Sequence, residues 1–312
     1  MSIATLPADG TRAAFADILP PIPVVEGASI ARLHFDSLGD LAALIPDSPR
    51  KGRPGSAWTD NEDKDFYGVT MAKARTLARD GWQKGAERVQ PLLDRVKTAR
   101  PTRKALTRWD VAGAVPSVPR YLAGNPLAMK TRQTSQTNQQ PIITLISSTS
   151  APWWTATATF ERLACAAAAI VDRLEDAGFR VEIIAGRRES SDPSGAGTAT
   201  GENNALGHRS EMFFRVKAAQ DGLDLARVAF GIGHPSVHRR LLFAAGNSHP
   251  AFDESLGSNQ GFAVGLPPLE RPPGAYILPA LAHLEKQVKH DPVAVFDHVI
   301  DTLKAHGCPG LE

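Results

Sequence analysis

From Pro141 onward the chain alternates between continuous apolar runs and stretches whose apolar positions recur every three or four residues. Ile142, Ile143, Leu145 and Ile146 form one such run, as a strand buried on both faces requires. Over 157–177, Phe160, Leu163, Ala164, Ala167, Val171 and Leu174 share one helical face, while Asp172, Arg173, Glu175 and Asp176 fall elsewhere. Gly178 then supplies a stop, and residues 179–184 read as a second strand. Strand, helix and strand at this spacing predict a βαβ unit with parallel strands and a right-handed crossover. The pattern continues with a polar loop over 189–208, a strand over 211–217, a helix over 223–230 and a helix opening at Pro235. A short strand at 276–278 follows, and Asp291 caps a last helix carrying Val293, Phe296, Val299, Ile300 and Leu303 inward.

The pattern upstream is weaker. Ile30, Leu33, Phe35, Leu38, Leu41 and Leu44 make a short apolar series suited to packing on a later domain, and residues 46–57 have linker composition. Helices are expected over 69–79 (Met71, Ala74, Leu77 and Ala78 inward, Gly81 as stop) and over 84–97 (Ala86, Val89, Leu92, Leu93, Val96), the second broken or kinked by Pro91. The glycines and prolines of 109–130 suit short strands and turns, with Trp109, Tyr121 and Leu122 plugging into a core. Residues 131–140 read as a polar hinge. The organisation expected is an N-terminal arm and linker (1–57), a basic helical or α+β region (58–140), and an α/β domain (141–312) with an open, mostly parallel, doubly wound sheet.

Charge changes this picture more than composition does. The net charge of +2 conceals a segment, 49–133, that holds 18 Lys and Arg against 8 Asp and Glu, while each flank carries −4. Such a block suits a polyanion or an acidic protein surface, and equally a solvated helical face. Two cysteines, Cys165 and Cys308, are too few for a disulfide framework. No run of about 18 apolar residues is present, so no membrane contact is expected. The N-terminus lacks the pattern of a secretory signal, which with the two cysteines points to a reduced, intracellular protein.

The ISSTSA strand end (146–151), the amphipathic helix after it and GFRVEIIAG (178–186) resemble the start of a von Willebrand factor A domain. That resemblance implies a divalent-ion loop of the form Asp-x-Ser-x-Ser, whose hard oxygen ligands suit Mg²⁺. Ser148 and Ser150 match the two serines, but Ile146 stands at the acid position, so the expectation is a vestigial site with no metal and no cofactor. The two serines should instead bond the loop and cap the helix. The chain as a whole also resembles a family of uncharacterised bacteriophage and prophage proteins. FYGVTMAKARTLARDGWQKGAERV, WDVAGAVPSVPRYLAGNPLAMK and LDLARVAFGIGHPSVHRRLLFAA carry that likeness, which implies a viral origin, in host cytoplasm or a virion, rather than a mechanism.

No catalytic constellation emerges. His234 and His238 have the four-residue spacing of paired zinc ligands, but no acid follows in the required place; His234 is expected to cap a helix and His238 to lie partly exposed. Ser148 lacks the glycines of a nucleophile elbow. Two non-enzymatic readings remain. In the first, the carboxyl edge of the sheet presents Trp153, Trp154, Ser148, Ser150 and His234 to a protein partner. In the second, Arg100, Arg103, Lys104 and Arg108, with Trp109 as a stacking platform, bind nucleic acid. The pairs Arg187-Arg188 and Arg239-Arg240 are further candidate phosphate contacts.

Overall fold

The computed structural model describes residues 3–5, 30–49, 51, 57–58, 66–99, 107–112, 115–132, 141–151, 154–190, 209–252, 262–263, 273–281, 284 and 291–311. The chain begins with strands β1 (Ile3–Thr5) and β2 (Ile30–Phe35), then helices α1 (Leu38–Leu44), α2 (Met71–Asp80) and α3 (Gln83–Ala99). A small region follows: β3 (Thr107–Asp110), β4 (Val115–Pro116), α4 (Val118–Leu122) and β5 (Met129–Arg132). The main α/β part holds β6 (Ile142–Ser148), α5 (Thr157–Asp176), β7 (Arg180–Ser190), β8 (Arg209–Lys217) and α6 (Leu225–Gly231). Helix α7 spans 235–248; its middle, Val237–Leu242, is wound as a π-helix. A 3-10 turn (Pro250–Phe252), strands β9 (Phe262–Ala263) and β10 (Ala275–Ile277) and helix α8 (Pro292–Ala305) complete the described elements.

Seven strands form one sheet in the order β1-β2-β8-β7-β6-β10, with β9 pairing the far end of β7. Every pairing is parallel except β7 with β8 and β7 with β9. The expected α/β class with a mostly parallel open sheet is therefore observed, and the βαβ unit is β6-α5-β7.

Alternation along β6 sorts its side chains. Ile143 and Leu145 enter the large core shared with the helices, whereas Ile146 joins Ile184, Phe213, Ala275 and Ile277 in a smaller cluster of strand residues. Helix α5 is more enclosed than its periodicity predicts. All nine residues from Leu163 to Val171 are buried, because α3, α6 and α8 pack around the alanine-rich faces left free by the sheet. Small side chains permit that approach from several sides. Pro91 does not break α3, which runs unbroken from Gln83 to Ala99. Pro91 and Glu87 lie on the solvent face, so the carbonyl deprived of its amide partner can bond water instead.

The expected boundaries at 57 and 140 do not separate independent cores. Strand β2 lies inside the main sheet, parallel to β8 from Ile30↔Arg209 to Phe35↔Phe214. Residues of α1, α2 and α3 share the large core with α5, α6 and α7. Arg240 Nη1 donates to the Ala57 carbonyl at 3.1 Å and Arg239 Nη1 to that of Phe66 at 3.0 Å, tying the upstream segment to α7. Across the expected linker, Trp58 Nε1 donates to the Pro46 carbonyl at 2.9 Å.

The small sheet, in the order β3-β5-β4, is antiparallel and packs mainly on itself. Its interior is not the one expected. Tyr121 is 75% and Leu122 77% exposed, and Trp109 is half-buried. A two-residue strand and a five-residue helix bring too few side chains to enclose them.

Candidate functional site

The carboxyl edge of β6 was the first place to expect a site. Ile146 is fully buried, so a core side chain fills the position where an ion loop would need an acid. Ser148 is buried, and Ser147 and Ser150 hold buried hydroxyls without a hydrogen-bond partner among the described residues. The serines do not cap α5: its N-cap is Ala156, with no side-chain cap bond. Thr149 closes the strand instead, its amide and hydroxyl both donating to the Gly186 carbonyl at 2.7 and 3.0 Å. Trp154 stands 58% exposed, while Trp153 falls outside the described residues. Of the five side chains expected to meet a partner here, Ser148 and His234 are enclosed and Trp154 is at the surface. Among the described residues, no three His, Cys, Asp or Glu side chains come together as a metal ion would require.

Behind that edge lies a polar cluster that the sequence conceals. Arg187 and Glu189, two apart on β7, face the helices, Nη1 standing 2.6 Å from Oε1. Arg187 is wholly buried, its guanidinium carbon 4.8 Å from the Phe243 ring centroid, and none of its nitrogens has hydrogen-bond geometry to an acceptor among the described residues. Burial pulls the Arg187 pKa down to about 10 and pushes Glu189 up to about 7, against their mutual attraction. His238 is buried as well, not partly exposed as its spacing suggested. Desolvation, then Arg187 and Arg239, hold its pKa well below the usual imidazole value. Arg188 lies on the opposite face, where Nε donates to Glu211 Oε2 at 3.0 Å, and His34 meets the other carboxylate oxygen at 2.8 Å. Burial raises the Glu211 pKa, but His34, Arg188 and Arg32 outweigh it and leave the carboxyl below its usual range. Arg239 and Arg240 stack on Phe66 and Tyr67 at 4.4 and 4.7 Å. All four arginines are structural here and lie out of reach of an external phosphate.

Among the described residues, two recesses open to solvent are lined by basic side chains. The larger, of 580 Å³, lies between α1, α2, α6 and β8 and is lined by Arg75, Arg79, Arg215 and Arg227. Each of these already has a carboxylate partner: Asp47, Asp80, Asp36 with Glu182, and Asp224. The smaller, of 330 Å³, is lined by Trp82, Lys84, Arg88, Thr157, His234 and Pro235, among others. His234 is buried; its Nδ1 accepts from the Ser236 amide at 3.1 Å, and its ring meets Trp82 edge-on at 4.5 Å. Burial and, secondarily, Arg88 draw its pKa down to about 4.

Residues 17–309 match the model of a family described as Domain of unknown function (DUF7192). The chain belongs to that family. No curated protein and no solved structure gave a match. In this member of the DUF7192 family, the basic segment is divided between helices and the small sheet. Arg100, Arg103 and Lys104 lie outside the described residues, and Arg108 is on β3. Trp109 sits opposite Lys130 across the β3–β5 ladder, with Arg120 4.3 Å and Lys130 5.5 Å from its ring centroid. Of the functional candidates, Lys84, Arg88 and Trp82 were missed by sequence reading. Their signal was present as charges at the start of a helix, but nothing local says that three other segments converge there.

Proposed function

We propose that this chain is a non-enzymatic protein-interaction module of phage or prophage origin, docking an acidic protein on its small sheet. One observation carries the reading. Five of the eight exposed large apolar side chains among the described residues fall between 111 and 127: Val111, Val118, Tyr121, Leu122 and Leu127. Apolar side chains scattered singly over a surface call for no explanation, but a concentration on one small unit marks a contact. The charge around it is basic, with Arg120 and Lys130 held on Trp109, which favours an acidic rim on the partner. Trp154, at the carboxyl edge of the main sheet, offers a second contact. Nucleic acid suits this surface less well. Both cations already occupy the neighbourhood of the Trp109 ring, and four aliphatic side chains contribute nothing to phosphate recognition. The β6-α5-β7 unit followed by antiparallel β8 supports the likeness to a von Willebrand factor A domain, which we read as the scaffold for these contacts.

The test pairs native chain with Tyr121→Ser/Leu122→Ser in capture from phage-infected cells, followed by titration of the purified partner. The account expects an acidic protein bound by the native chain and weakened about tenfold or more by the double change. Steeply salt-dependent binding of single-stranded nucleic acid, unaffected by the double change, would overturn it.

A further inference from the structure

The 580 Å³ recess lies where two parallel strands, β2 and β8, end. The chain leaves β2 at Phe35 and opens α1 at Leu38, beside the recess, while Phe214, Arg215 and Val216 lie near the end of β8 at Lys217. Open α/β sheets take ligands outside the carboxyl ends of their strands. Because β8 runs antiparallel to β7, this edge is opposite the one that carries Ser148. The space exists because the facing helix surfaces are small: Gly39, Ala42 and Ala43 on α1 and Ala78 on α2 leave it unfilled. Its volume falls in the range of sites for small organic molecules.

Charge sets the wall of the recess apart from what surrounds it. The described residues that line it include four arginines and one acid, Asp40, whereas the carboxylates paired with those arginines lie outside the lining. A cleft walled by one sign of charge concentrates ligands of the other. Asp40 is itself engaged, its Oδ2 accepting from Ser37 Oγ at 2.7 Å. Arg75 is tied down by Asp47 and by the carbonyls of Ile45 and Pro46. Arg79 and Arg227 are held less firmly. Arg79 forks onto its exposed neighbour Asp80 through Nε and Nη2, which leaves Nη1 over. The side chain of Arg227 makes no hydrogen bond among the described residues. Its Nε stands 3.3 Å from Asp224, whose Oδ1 already accepts from the amides of Ala226 and Arg227 as the cap of α6. Exposed pairs of this kind hold weakly, so both guanidiniums can turn to another acceptor.

We propose that this recess binds a small monocarboxylic acid, its carboxylate gripped by Arg227 and Arg79 and its apolar body lying against Leu77, Ala78 and Val216. A guanidinium presents paired N–H donors that match the two oxygens of a carboxylate. A single negative charge fits better than a phosphate dianion, because Asp80 and Asp224 stay beside the two guanidiniums.

Isothermal titration of the full chain with 4-phenylbutyrate tests this, beside 4-phenylbutanol as its neutral counterpart and inorganic phosphate as a dianion. Arg227→Gln and Arg79→Gln, made singly and together, remove exposed charges without touching the core. Arg120→Gln, on the small sheet, is the control. Saturable binding of phenylbutyrate is expected, about tenfold or more tighter than binding of the alcohol. It should weaken about tenfold in the double variant and stay unchanged in Arg120→Gln. No binding of phenylbutyrate by the native chain would overturn the proposal, as would equal binding of the alcohol or tighter binding of phosphate. Binding lost in Arg120→Gln, or kept intact in the double variant, would place the acid elsewhere and overturn it too.

Discussion

Arg187 and Glu189 show how much a single buried pair can govern here. Removing one partner leaves the other charge enclosed without compensation, whereas replacing both by apolar groups of similar size removes two desolvation penalties together. Glu189→Gln is therefore expected to destabilise the chain by about 3–5 kcal/mol, and Arg187→Met/Glu189→Leu to be near neutral or stabilising, in urea unfolding. The pair also shapes the pH profile. Glu189 has a folded pKa of about 7, above its ordinary 4.5, so its contribution to stability falls as pH rises between those values. His234, with a folded pKa of about 4 against 6.5, acts in the opposite sense: its contribution is lost as pH falls from 6.5 toward 4. Buried His238, its pKa also held low, acts in the same sense as His234, and the two histidines oppose Glu189 in native chain between about pH 4.5 and 6.5. In Glu189→Gln the stability should climb with pH across that window, and an unchanged slope would refute the opposed roles. None of this was legible from Arg-Arg-Glu-Ser, which reads as a surface. Strand β7 extends four residues beyond Gly186, and alternation there turns Arg187 and Glu189 inward.

At the scale of elements, sequence reading succeeded where a stripe is long and regular. Helices α2, α3, α5 and α8 lie where their apolar periodicity puts them, with Thr70, Asp224 and Asp291 capping α2, α6 and α8 through side-chain bonds. It failed where the deciding partner is remote. The π-wound turns of α7 have no local signal; their arginines reach back to Ala57 and Phe66. The exposure of Tyr121 and Leu122 was missed because nothing in 109–130 says whether another layer covers it. The β7–β8 seam, where the sheet reverses direction, depends on one small residue. A Cβ at Gly186 would stand 2.1 Å from the Met212 carbonyl oxygen and 2.7 Å from the Phe213 Cα. Backbone cannot yield as a flexible side chain does, so Gly186→Ala should cost several kcal/mol, about 3 or more, in thermal or urea unfolding. A loss below about 0.5 kcal/mol would mean that the seam is looser than drawn.

Across the whole molecule, the main correction concerns where it begins and ends as a folding unit. Periodicity placed the βαβ unit well, but it could not reveal that β2, separated from β8 by more than 170 residues, lies beside it. Parallel neighbours need no short connection, so sequence distance carries no warning. A fragment spanning 141–312 would bare the edge of β8 and the faces of α5 and α6 that α2 and α3 cover. We expect it to aggregate or to lack a cooperative unfolding transition, while the full chain shows one; a soluble, cooperatively folding fragment would restore the boundary at 140. The fold thus sets a large α/β body beside a small basic sheet, five of whose large apolar side chains are exposed. Hydrogen–deuterium exchange of the full chain, free and bound to its captured partner, examines that arrangement most directly. The account predicts new protection over 115–128, with little change along β6 and the start of α5. Protection confined to the Trp154 edge, with 115–128 exchanging as before, would contradict it.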